Sequence, residues 1–117
     1  MTMENILVSL FKGYADTHPI EVPLKTIISL LRDNQAVIEH TEKHRYYLEQ
    51  KQVTAAAREK ASCPCFAVSV RFEGGKQKAN ISGWTGICPV DIDHVPPERM
   101  EQCLELLKAD KHTLLQY

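Results

Sequence analysis

The sequence predicts an α+β domain, and three observations carry that prediction. Leu24, Ile27, Ile28 and Leu31 recur at helical spacing, which gives residues 24–33 one apolar face. CFAVSVRF (65–72) alternates, EGGK (73–76) supplies a Gly-Gly turn and KQKANISGW (76–84) returns, the pattern of an antiparallel hairpin. ENILVSLF (4–11) is a short run of branched apolar residues, which suits a buried strand.

The elements follow in order. After the first strand, GYADTHPIEVP (13–23) reads as a polar, turn-rich link punctuated by Pro19 and Pro23. The helix at 24–33 comes next. Residues 35–50 keep a weaker periodicity and many charges, and 53–61 contain good helix formers, so one or two mostly exposed helices are expected there. The hairpin leads through a turn at 83–86 into ICPVDID (87–93), expected as a third strand. Residues 65–93 would then form an antiparallel meander with helices packed on one face. Pro96 and Pro97 suit the first turn of a helix, where a missing amide donor costs nothing. Met100, Cys103, Leu104 and Leu107 form its apolar stripe, and Lys108, Lys111 and His112 stand where the helix dipole favours cations. TLLQY (113–117) reads as a strand just begun. The expectation is a single domain over 1–117, the truncated N-terminal module of a longer protein.

Composition narrows the function classes. A length of 117 residues, 44% hydrophobic and 25% charged, is ordinary for one globular domain. The formal net charge of −1 gives no bulk electrostatic drive toward nucleic acid or membranes, so any such site must be local. No apolar run approaches membrane-spanning length and no signal peptide opens the chain, so a cytoplasmic protein is expected. Cys63, Cys65, Cys88 and Cys103 are then expected as thiols, with Cys88 and Cys103 on buried faces. Cys63-Pro-Cys65 is too tightly spaced for the common zinc knuckle, so no zinc is expected.

Chemistry concentrates at Asp91 and Asp93. Two residues apart on a strand, they would share one face, and two carboxylates side by side repel unless a cation, a base or a proton lies between them. Mg²⁺ or Mn²⁺ is the hard cation such oxygens prefer. The alternative is structural: either aspartate caps the following loop and helix, or pairs with Arg99.

Residues 53–117, with TAAAREKAS, FEGGK, the Gly-Trp-Thr-Gly turn, GICPVDIDHVPPERM and KADKHTLLQY, resemble the VirE amino-terminal domain. That module lies upstream of virulence-associated E, P-loop helicase-like proteins of mobile elements. The first half resembles it only in element order. The family is in turn similar to the cores of archaeo-eukaryotic primases and primase-polymerases, where a strand ending in Asp-x-Asp binds divalent metals. The resemblance implies a primase-polymerase-like fold, a catalytic and metal-binding role for Asp91 and Asp93, and weak Mg²⁺ or Mn²⁺ binding. It also implies two partners: nucleotide or nucleic acid, and a downstream P-loop helicase-like domain of the same polypeptide. The Ser-x-His that those enzymes carry after the aspartates is absent from this sequence. The expected function is therefore an accessory domain of a replication or mobilisation protein, inactive alone. Two rivals stand beside it. One is a nucleotidyl transferase complete only in a longer chain, and the other is a protein-interaction module without a metal.

Other residues carry charge or rings suited to the same chemistry. Arg71, Lys76 and Lys78 flank the hairpin and are the candidates for contacting phosphate or nucleic acid, Arg71 and Lys78 meeting across it. As outer positions of a half-exposed sheet they would simply be solvated. Lys43 to Tyr47 read as a solvated helix face with tyrosines shielding the core, and Trp84 as a packing anchor for its turn. His18 and His40 lack a partner at catalytic spacing, and no glycine-rich phosphate loop is present.

Overall fold

Branched and aromatic side chains make Leu7–Phe11 (β1) the centre of a computed structural model that describes residues 3–113. A 3-10 turn, Met3–Asn5, precedes it. Val8 and Phe11, on opposite faces of the strand, are both buried. Ile20–Pro23 (β2) pairs antiparallel with one edge of β1, with Val8 opposite Val22 and Leu10 opposite Ile20. This corrects the expectation of an irregular link. Ile20 and Val22 alternate with Glu21, and Pro23, which cannot donate to a ladder, stands at the strand's end beside the helix.

Leu24–Asp33 (α1) forms where its apolar spacing predicts and buries Leu24 and Ile27 against Val8. Ile6, Leu10, Val22, Phe66 and Ile87 pack around that trio. Full burial of a side chain such as Val8, Leu24 or Ile27 contributes roughly 1.5–3 kcal/mol. Asn34 ends α1 and starts Gln35–Glu49 (α2), its side-chain oxygen accepting from the Val37 amide at 3.1 Å. Lys51, with φ 58°, turns the chain into Val53–Ser62 (α3). Ala56 is buried, and its small side chain lets α2 and α3 approach closely.

The α+β class and antiparallel pairing hold, while the three-stranded meander does not form. CFAVSVRF divides at Val68 and Ser69 into Cys65–Ala67 (β3) and Val70–Phe72 (β4). The first takes the other edge of β1, giving a sheet ordered β2-β1-β3. The second pairs with Ile81–Trp84 (β5) in a separate two-stranded sheet. Contacts between β1 and β4 join the sheets. The fully buried Ser9 hydroxyl on β1 donates to the Val70 carbonyl at 2.9 Å, and the rings of Phe11 and Phe72 meet edge-to-face at 6.2 Å.

The hairpin loop is longer than a Gly-Gly turn. It spans 73–80, with a 3-10 turn at Lys78–Asn80, and Gly74 takes φ 85°, a conformation glycine supplies without strain. Arg71 therefore faces Gly83 across the hairpin, not Lys78. Trp84 is 73% exposed, so it anchors nothing within the described residues.

The expected strand at 87–93 is irregular. Gly86, at φ 84°, carries the chain off the ladder, and Thr85 is tied back by its amide to the Ser69 carbonyl and by its hydroxyl to the Val68 carbonyl. Pro89 then lacks the donor a strand would need. A 3-10 turn at Pro97–Arg99 opens Met100–Ala109 (α4), as the prolines predict. α4 buries none of its residues, so it is not part of a helical layer on one face of the sheet. Lys111 and His112 follow its end, where Asp110 receives the His112 amide and the Thr113 hydroxyl. The strand expected at 113–117 lies, beyond Thr113, outside the described residues.

Candidate functional site

Asp91 and Asp93 sit on the irregular segment between β5 and α4, and both are exposed. His94, directly after them, takes φ 58°, which turns the chain sharply before Pro96. Neither carboxylate caps a backbone amide, and neither forms an ion pair with Arg99 among the described residues. Nor does any group of three or more His, Cys, Asp or Glu stand together among the described residues to hold a metal ion. The pair thus offers charge without further ligands.

Several large apolar side chains on β5, the 87–96 segment and α4 are exposed. Trp84, Val90, Ile92, Met100, Leu104 and Leu106 are exposed by between 42% and 78%. The 92–96 segment and α4 enclose an open cavity of about 450 Å³, lined by Ile92, Val95, Pro96, Cys103 and Leu107. The sequence stripe through Met100, Cys103, Leu104 and Leu107 identifies the helix but not its exposure. Leu106 lies off that stripe, and it is the one signal that the helix has a second apolar face. Cys88 is exposed and Cys103 half-buried, which corrects their placement on buried faces, since α4 and the 87–93 segment are not covered.

The basic residues separate. Arg71 lies over Gly83 on the outer face of the hairpin. Lys76 reaches back across the fold: its ammonium donates to the Tyr14 carbonyl at 2.6 Å and lies 5.6 Å and 5.2 Å from the ring centres of Phe11 and Tyr14. Lys78 belongs to the 3-10 turn. Beside Lys76 is a second cavity, of about 510 Å³, lined by Thr17, His18, Gly74, Gly75, Gln77 and Asn80. The β1–β2 loop that supplies Thr17 and His18 is held by Asp16, whose carboxylate accepts the Lys12 and His18 amides at 2.9 and 3.0 Å. Those two amides hold the Asp16 pKa below the ordinary carboxylate value. Thr17 and His18 are 56 or more positions from Gly74 in the chain, so local pattern gives no reason to join them.

Two further histidines are structural. His40 Nδ1 on α2 meets Glu59 Oε1 on α3 at 2.6 Å, and His44 Nδ1 donates to the Ala56 carbonyl at 2.9 Å. Tyr46 and Tyr47 contact each other edge-to-face, with Tyr46 exposed and not shielding the core. Burial pushes the Cys63 thiol pKa up, which leaves it less thiolate at neutral pH and a weaker nucleophile or ligand. No helix among the described residues is long and apolar enough to cross a membrane.

A family model described as BT4734-like, N-terminal domain, matches residues 58–117. Neither a curated protein nor a solved structure matches the chain.

Proposed function

The chain belongs to the BT4734-like, N-terminal domain family, and on that premise we propose that it is an accessory, non-catalytic module that works by docking. The resemblance to the VirE amino-terminal domain supplies the setting, a replication or mobilisation protein of a mobile element. It also supplies the partner, a P-loop helicase-like domain of the same polypeptide. One observation carries the reading. The matched half of the chain presents six large apolar side chains to solvent, Trp84, Val90, Ile92, Met100, Leu104 and Leu106. Charge defines the counter-surface. Residues 87–109 carry five carboxylates (Asp91, Asp93, Glu98, Glu101, Glu105) against two bases (Arg99, Lys108), a net of −3, so the partner face is apolar with a basic rim.

The test is co-elution of the 117-residue chain with that helicase-like domain, for wild type and for the Leu104→Glu, Leu106→Glu double variant. Both leucines are exposed and glutamate is a good helix former, so the melting temperature is expected to stay within about 2 °C. Wild type co-elutes and the double variant does not. Co-elution that survives both substitutions rules out docking through this face.

A second reading retains Asp91 and Asp93 as a weak divalent-metal site serving a bound nucleotide or nucleic acid, because neither carboxylate has the structural partner a cap would have. The pair supplies two of the six or more oxygens a hard cation prefers, so affinity would be on the order of millimolar. Asp91→Asn or Asp93→Asn is expected to leave the melting temperature unchanged or slightly raised and to abolish its response to Mn²⁺. A clear fall in melting temperature with either substitution, together with a wild type that ignores Mn²⁺, would discard this site.

A further inference from the structure

The cavity between the β1–β2 loop and the hairpin loop has a chemistry that neither docking nor the aspartates use. The amides of Gly74, Gly75, Lys76 and Gln77 are four consecutive donors, and none has an acceptor among the described residues. Gly74 at φ 85° breaks the extended course there, as happens where successive amides form a concave anion-binding nest. Around them the wall adds the Thr17 hydroxyl, the His18 ring and Lys76. Lys76 spends one of its three N–H donors on the Tyr14 carbonyl, which fixes the cation in place and leaves two donors. No carboxylate lines the cavity, although Asp16 and Glu73 are close in sequence. Asp16 is occupied by the two amides it accepts, and it holds His18 at the rim. A cavity of about 510 Å³ exceeds what one phosphate needs and suits a phosphate with a substituent attached.

We propose that this cavity binds the phosphate group of a nucleotide or a nucleic-acid strand, with the Gly74–Gln77 amides and Lys76 as donors. Tyr14, exposed beside Lys76, offers a ring on which the attached base stacks. The site is independent of the docking face, being built from other elements. Of the three bases singled out in the sequence, only Lys76 belongs to it; Arg71 and Lys78 do not line the cavity.

Amide chemical shifts of the ¹⁵N-labelled chain test this at constant ionic strength, with pyrophosphate, a nucleoside diphosphate and a short single-stranded oligonucleotide as probes and chloride as the control. Saturable shifts are expected at Gly74 to Gln77, with those of Tyr14 added for the probes that carry a base. If the oligonucleotide saturates at the lowest concentration the phosphate comes from a strand; if the diphosphate does, from a free nucleotide. Lys76→Gln is expected to weaken binding about tenfold, the loss of one charge-assisted contact. Because Lys76 also ties two loops together, Gly75→Asp and Gly75→Ala complete the set. A Cβ on Gly75 meets only the Thr17 carbonyl, at 3.6 Å, and an Asn80 oxygen at 3.9 Å, so both variants fold. Gly75→Asp should abolish binding by repulsion, and Gly75→Ala should retain it. Shifts that chloride reproduces, or binding by Gly75→Asp equal to wild type, would overturn the proposal.

Discussion

Ile27→Ala is expected to cost about 3 kcal/mol of stability and to lower the melting temperature by about 12 °C. Ile27 is 1% exposed and stands in the one cluster that joins α1 to β1. Removing its side chain deletes buried methyl groups and leaves a cavity. Val8, Leu24 and Phe66 cannot all collapse into that space without pulling α1 from the sheet. The loss is heavy because the core is small. Among the described residues only Val8, Phe11, Leu24, Ile27 and Ala56 are buried apolar side chains, and a domain of this size has about 5–15 kcal/mol in total. Leu106→Ala, on the exposed face of α4, serves as the comparison and should change the melting temperature by no more than about 2 °C. A thermal melt of the two variants decides it: equal effects would mean that the Val8, Leu24 and Ile27 cluster is not the stabilising centre.

Gly13→Val is the second large effect, and it acts through the backbone. The Tyr14 amide donates to the Ala61 carbonyl at 3.0 Å, which docks the loop after β1 onto the end of α3. A Cβ on Gly13 would stand 2.9 Å from that same carbonyl oxygen. The obstacle is main chain and cannot swing aside, so the loop must lift and the Tyr14 hydrogen bond is lost. The expected cost is about 2 kcal/mol, overpacking and an unmade hydrogen bond together. Gly83→Ala makes the contrast. Its Cβ would also meet an atom at 2.9 Å, but that atom is the end of the flexible Arg71 side chain. Melts that rank Gly83→Ala as costlier than Gly13→Val would contradict the docking of this loop on α3.

The elements readable from sequence are those set by local period or local chemistry. The α1 stripe, the helix formers of α3 and the prolines before α4 each act within one or two turns, and each element forms where its residues put it. β2 was hidden because Pro19 and Pro23 signal turns, while the hydrogen bonds that make it a strand come from β1. The reverse holds at 87–93. Alternation of Val90 and Ile92 suggests a strand, but one needs a neighbour with free donors and acceptors, and Thr85 has tied the chain elsewhere. The site residues divide in the same way. Asp91 and Asp93 stand out by spacing alone, whereas the setting of Lys76 depends on Tyr14 and Phe11, 62 and 65 positions earlier.

The bare faces of α4 carry a consequence for motion. Amide protons of β1 and of the body of α1, next to the buried cluster, are expected to exchange with solvent the most slowly in the domain. Those in α4 depend on a ten-residue helix with no buried side chain, and helices of that length are marginal in water. The domain therefore behaves as two cooperative units of unequal depth, a stable one built around β1 and α1 and a shallow one at 88–109. The shallow unit lies wholly within the segment that matches the family model, and there the ordering supplied by a partner has the most free energy to contribute.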